Sequence, residues 1–296
     1  MTAAPKANAT VASRLMARVR IANPDGLVEV GGFIWVKTDD GRVVRIDPST
    51  DTVTGTVRID TAKVPNHYCQ GIGTDGADVW ACTASDTSTG IVRIDPKTMS
   101  VGAPIEVGKV FDQLSLPHTS RGLWVLTGSG ETVAVVDTAT GKSTTYQLGA
   151  TCQQLAAAET IVVATCANDD LVVALDPVTG KVLARASLKA PRIAAVWGHD
   201  VWVDISRGLT RLGTDLAVKA RYPHQVIGLE GDLAVTQDAV WVRGPGGVLW
   251  QIDPHRNTVV ARLNSAPPVS AGSLLVTPQA IWASENNEGV VIRLRR

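Results

Sequence analysis

Apolar residues in this chain gather in short runs rather than in long amphipathic stretches. Typical runs are Phe33-Ile34-Trp35-Val36, Val79-Trp80-Ala81 and Ala239-Val240-Trp241-Val242, each bounded by Gly, Asp, Pro or Thr. Runs of this length, rich in β-branched residues and separated by turn formers, predict strands joined by tight turns. The alternation of apolar and polar positions within them is only partial, which is expected where sheets are covered on both faces. No run approaches the ~18 apolar residues of a membrane-spanning helix.

The runs repeat. Tryptophan falls at positions 35, 80, 124, 202, 241 and 282, with Val163 standing in once, giving gaps of 45, 44, 39, 39, 39 and 41 residues by subtraction. A second mark lies downstream in most units: Arg45-Ile46-Asp47-Pro48, Arg93-Ile94-Asp95-Pro96, Val135-Val136-Asp137-Thr138, Ala174-Leu175-Asp176-Pro177 and Gln251-Ile252-Asp253-Pro254. Seven such units nearly exhaust the 296 residues. The pattern predicts an all-β chain folded as a seven-bladed β-propeller with four antiparallel strands, A to D, per blade. Strand B carries the tryptophan, strand C ends in the Asp-Pro mark, and strand D is the β-branched stretch after it. The tryptophan reads as core between blades. Each Asp of Asp-Pro reads as turn chemistry rather than a calcium ligand, since Pro presets φ while Asp accepts backbone N–H bonds. Unit five, 191–225, has Leu212-Gly213-Thr214 where the mark is expected, but its spacing still places it as a blade.

The ends are complementary. The last unit stops at its strand C, Val290 to Arg295, while the run from Thr10 to Arg20 precedes the first strand A and resembles a strand D. Residues 9–21 are therefore expected to complete the last blade and close the ring. Residues 1–8 read as a leader and 9–296 as one propeller domain. The leader lacks the charged start and apolar stretch of a signal peptide, which leaves a cytosolic protein or one whose signal has been removed.

Composition narrows the partners. Twenty-eight basic residues balance 28 acidic ones, which argues against nucleic acid or an anionic membrane as partner; a small molecule or a protein is the expected ligand, and a monomer the expected state. The four cysteines form two close pairs, Cys69/Cys82 and Cys152/Cys166. The first pair brackets Asp75-Gly76, a two-residue hairpin signal that sets Cys69 opposite Cys82; the second centres on Glu159 and fits a three-residue turn. Both predict disulfides across A–B hairpins, and with them an extracytoplasmic or secreted location.

In a propeller the D–A and B–C connections share one face around the central channel. Near the starts of A strands lie Asp25, His67, Asp112, Gln153, Arg192 and Glu230; late in or after B strands lie Lys37, Asp204, Arg243 and Glu285. Charges converging on a concave mouth define a candidate binding site. His67 is the best-placed acid–base group, because imidazole titrates near neutrality. No nucleophile elbow, metalloprotease helix, phosphate-binding loop or dinucleotide fingerprint is present.

Units such as Val79-Trp80 through Gly90-Ile91-Val92-Arg93-Ile94-Asp95-Pro96 to Ser100-Val101 resemble YVTN-type seven-bladed propellers and the related streptogramin (virginiamycin B) lyases. That resemblance spans essentially the whole chain through scaffold residues. It implies a metal-assisted enzyme that opens a cyclic depsipeptide by elimination. The lyase-like Trp-x-x-Glu strand is matched by Trp282-Ala283-Ser284-Glu285, whereas the expected Pro-His lead-ins are replaced by Leu229-Glu230-Gly231 and Val269-Ser270-Ala271. Two functions follow. One is a binding propeller that holds a small ligand or partner at the channel mouth. The other is a lyase or hydrolase with His67 as base, Arg192 or Arg243 steadying negative charge, and Asp25, Asp112 or Glu285 holding a divalent cation such as Mg or Ca.

Overall fold

The computed structural model describes residues 9–60, 70–84, 89–111, 113–206, 208–223 and 231–296. Its strands form seven sheets set around an axis, and each contains the four antiparallel strands that the repeat predicts. Blade one shows the pattern: Pro24–Val30, Phe33–Thr38, Arg42–Asp47 and Thr52–Arg58 run from the channel outward. The degenerate fifth unit is a full blade, from Ala194–Trp197 to Val218–Pro223. No helix among the described residues is long and apolar enough to cross a membrane.

The seam closes as the chain ends predict, with an addition. Leu15–Arg20 pairs antiparallel with Val290–Leu294 and supplies the outer strand of blade seven. Ahead of it, Val11–Arg14 makes one helical turn capped by the Thr10 hydroxyl. Ala9–Thr10 then lies parallel to the outer strand of blade six, Thr258–Asn264. The N-terminal segment is thus fastened to two blades.

Packing explains the tryptophan period. The core consists of seven apolar layers, each between two neighbouring blades. Trp35, Trp80, Trp124, Trp202, Trp241 and Trp282 are at most 1% exposed. Each faces the blade that follows its own. Trp35, for example, packs with Ile72, Val79 and Ile94 of blade two, and Trp282 packs with Ile34 and Val44 of blade one. Val163 fills the equivalent place between blades four and five. Burying ~200 Å² of tryptophan at about 25 cal/mol/Å² gives roughly 5 kcal/mol of gross stabilisation per layer.

The Asp-Pro marks do more than turn the chain. Asp95 Oδ1 accepts from the Lys97 and Thr98 N–H groups, and Asp176 and Asp253 repeat the geometry. Those backbone bonds hold the Asp95 and Asp176 carboxyls below their ordinary pKa. The Pro carbonyls serve the adjacent blade. Arg45 donates to Pro96 O at 3.0 Å, Arg211 to Pro254 O at 2.5 Å and Arg293 to Pro48 O at 2.5 Å. These arginines sit opposite tryptophans on the neighbouring strand, with Arg45, Arg211 and Arg293 lying 5.7, 5.2 and 5.3 Å from the ring centroids of Trp35, Trp202 and Trp282. A register shift of the C–D pair falls at the same place in blades one, four, five and six, beside the residue before Asp or, in blade five, before Gly213. It adds local twist to the outer strand.

Both cysteine hairpins differ from expectation. In blade two, Thr74 pairs with Val79, so the loop has four residues, not two. The Asp75 carboxylate dictates this by accepting from the Ala77 and Asp78 N–H groups and from Trp80 Nε1. Cys82 consequently faces Gly71, to whose carbonyl it donates at 2.9 Å. Cys82 is disulfide-bonded, and Cys69, its expected partner, lies outside the described residues. In blade four, Ala158 pairs with Ile161 across the two-residue turn Glu159-Thr160, where three residues were expected. The Cys152–Cys166 disulfide forms all the same. It joins the approach to strand A with the end of strand B.

Candidate functional site

The innermost strands leave a cavity of about 270 Å³ on the axis. Each blade contributes to its wall, through Leu27, Ile72, Ser115, Leu155, Ala194, Leu233 and Leu274 in turn. Close approach here depends on glycine. A Cβ on Gly73 would lie 2.0 Å from Leu116 O, because Ser115–Leu116 first pairs parallel with blade two before the chain enters blade three.

Above the channel lies a wider cavity of about 660 Å³, bounded by Gln70, Gln153, Gln154, Asn168, Arg192 and Ser206 with Leu114, Ala167, Ala190, Ile193 and Gly231. These residues come from D–A and B–C connections, so the mouth sits on the face predicted for it. The two cavities share Leu114, Gln154 and Ile193 in their walls. Arg192 is the one charged side chain among the described residues around the mouth. Its backbone is fixed, N–H to Asp204 O at 2.9 Å and carbonyl to Thr165 Oγ1 at 2.5 Å. Its guanidinium is exposed and has no partner among the described residues. Gln153 is half-buried and occupied, its Oε1 accepting from the Ala167 N–H and its Nε2 donating to Thr151 O.

The other candidates are placed differently. Lys37, Asp204, Arg243 and Glu285 are 0–1% exposed and lie between blades rather than on the mouth. Strand parity explains why. Lys37, Asp204 and Arg243 each follow the blade's tryptophan by two residues and so share its face, toward the next blade. Glu285 follows Trp282 by three and turns the other way, toward blade six. Arg243 and Glu285 therefore meet, Nη2 to Oε1, at 3.3 Å, and Arg18 reaches Glu285 Oε2 at 3.1 Å. Burial pulls the Arg243 pKa down and Glu285 pushes it back up. Arg243 also donates to Ser270 O, while its Nε and Nη1 are buried without partners among the described residues. Lys37 Nζ lies 3.8 Å from Asp60 Oδ2 and 3.4 Å from Thr38 O. Burial lowers its pKa, against the fields of Asp60, Asp39, Asp25 and Asp40. Asp25 is buried at the start of blade one. His67, Asp112 and Glu230 lie outside the described residues.

Sequence reasoning missed Asp232. Strand A of blade six begins at Leu233, three residues beyond Glu230, and the acidic residue at the channel wall is Asp232. Its Oδ1 accepts from its neighbour Leu233 at 2.7 Å and its Oδ2 from Leu274 of blade seven at 2.9 Å. Burial pushes its pKa up to about 6, against the pull of those two bonds.

A divalent cation was one expectation for this face. Among the described residues no three His, Cys, Asp or Glu side chains converge to hold one. Glu285, at the lyase-like position, is occupied by two arginines. The described donor set does not fit a metal ion, and no chemical step is assigned to one.

No protein-family model matches this sequence, and no curated protein matches it either. Solved structures do. The β-propeller domain of Myceliophteria thermophila Cps50 (Swd1) is similar with a TM-score of 0.74 at 12% identity, over 95% of this chain and 99% of that one. Kuenenia stuttgartiensis hydrazine synthase is similar with a TM-score of 0.73 at 14% identity, over 93% and 96% of the two chains. At such identities the likeness concerns the fold, a seven-bladed β-propeller.

Proposed function

We propose that this protein is a binding propeller that takes a small, polar, acid-bearing ligand at the mouth of its central channel. The observation that carries the reading is the unpartnered Arg192 guanidinium on a cavity of about 660 Å³ whose other described polar lining is amide and hydroxyl. A guanidinium in that setting pairs with a carboxylate through two parallel N–H bonds, while neighbouring amides recognise the rest of the molecule. The kinship with YVTN-type propellers suggested by the repeat agrees with a binding role. Thermal-shift titration should separate glucuronate from glucose, and N-acetylglutamate from N-acetylglutamine. The expected result is stabilisation by at least one acid over its neutral twin, reduced at least tenfold in affinity by Arg192→Gln. Equal response of Arg192→Gln and wild type to the acids removes the reading.

We also propose that the protein works outside the cytoplasm, on the support of the Cys152–Cys166 disulfide. Alkylation of protein taken directly from its host, with tryptic mapping, is expected to leave Cys152 and Cys166 unmodified until reductant is added. Alkylation of both thiols without reductant would place the protein in a reducing compartment.

A further inference from the structure

The mouth does not account for Asp232. Two other carboxylates described above have basic partners: Glu285 has Arg18 and Arg243, and Asp60 has Lys37. Asp232 has only two backbone N–H groups, one on each oxygen, and pairs with no described cation. It is also the one ionisable side chain among the residues around the axial cavity. Beside it, from blade seven, stands Ser273, 4% exposed and lining the same cavity, its hydroxyl oxygen without a hydrogen-bond partner. The remaining wall is largely Leu, Ile, Ala and Val. Asp232 is half-buried on the wall of this cavity, and a carboxylate in such an apolar setting without a counter-charge is stabilised by a cation that reaches it.

We propose that the central channel is a second binding site, for a small aliphatic primary amine, with the ammonium held by the Asp232 carboxylate and the Ser273 hydroxyl and the alkyl chain along the apolar wall. An ammonium offers three donors. Each Asp232 oxygen has a lone pair beyond its backbone bond, and Ser273 Oγ supplies a third acceptor. The cavity of about 270 Å³ holds roughly nine water-sized groups at ~30 Å³ each, enough for a chain of four or five carbons. Leu114, Gln154 and Ile193 line both this cavity and the mouth, and the proposed access runs past them.

The charged groups nearby leave the carboxylate to its guest. Arg243 on strand B of blade six donates its backbone N–H to Asp232 O, but its guanidinium is directed to Glu285 and Ser270. The A strands of blades five and seven, Ala194–Trp197 and Leu274–Val276, carry no ionisable residue. Arg192 belongs to the mouth. Asp232 with its pKa of about 6 is then the group whose ionisation sets affinity.

The test uses the full chain and n-butylammonium chloride, with n-butanol as the uncharged twin, followed by isothermal titration and by methyl NMR of the channel leucines. Butylammonium should bind saturably and at least tenfold more tightly than butanol. Lowering the pH from 7 to 5 should weaken it about tenfold, as protonation of Asp232 removes the charge while the amine stays protonated. Asp232→Asn should abolish the preference for the amine, and Ser273→Ala should reduce it several-fold with the fold intact. Absence of saturable butylammonium binding to wild-type protein, equal binding of butanol, or an unchanged Ser273→Ala variant would each overturn the proposal. So would potassium chloride shifting the same methyl signals where butylammonium does not. Loss of the Arg192-dependent response leaves these outcomes untouched, since the two sites are read by different probes.

Discussion

Glu285→Ala is expected to cost about 3–5 kcal/mol of unfolding free energy, the usual range for stripping one partner from a buried ion pair. The loss comes less from the missing attraction than from what stays behind. Arg243 is fully buried, and without Glu285 its side chain would keep one hydrogen bond, to Ser270 O. Replacing both residues by methionine should recover most of the loss, because the unpaired charge leaves with the pair. Arg18→Ala should cost no more than about 1 kcal/mol, since its side chain is half exposed and solvent screens it. Urea unfolding of the three variants against wild type decides the matter. If Glu285→Ala unfolds within 1 kcal/mol of wild type, roughly the exposed-pair limit, the residue is not the keystone of the gap between blades six and seven.

The second large effect lies in the tryptophan layer. Trp124→Ala should destabilise by about 3–5 kcal/mol, since the ring is fully buried between blades three and four and its Nε1 donates to Thr119 Oγ1 at 3.0 Å. Val163→Ala, at the equivalent place one blade on, should cost roughly 2 kcal/mol, in proportion to the smaller volume removed. Denaturant midpoints of the two variants test the equivalence of the positions. Equal losses would mean that the layers are not built to one plan.

That plan was legible because one physical demand, filling the gap to the next blade, recurs at every turn of the ring and selects a large side chain each time. Val163 was recognisable as a substitute by spacing alone. Hairpin lengths were not legible in the same way. Asp75-Gly76 carries a strong two-residue turn signal, but the Asp75 carboxylate found three N–H donors, and a longer loop satisfies them all. The links from Arg45 to Pro96 and from Arg293 to Pro48 were invisible because they join residues 51 and 245 positions apart. For the candidate residues, the connections they lie near were legible and their partners were not. Counting two residues from Trp241 and three from Trp282 would have turned Arg243 and Glu285 toward each other. Reading Glu230 as the acidic residue near the start of strand A of blade six drew attention away from Asp232, which directly precedes Leu233.

The fastening of the N-terminal segment fixes the order in which the molecule can be completed. Leu15–Arg20 is made before any of the four-stranded blades, yet its partner, Val290–Leu294, follows every other strand of the ring. Until Val290–Leu294 has been made, Leu15–Arg20 has no place to dock, and blade seven exposes an unpaired edge until the two meet. A nascent ring of this kind is an open arc, with the hazards of bare sheet edges. Its final step is a contact across nearly the full length of the chain, the kind of closure that slows folding most.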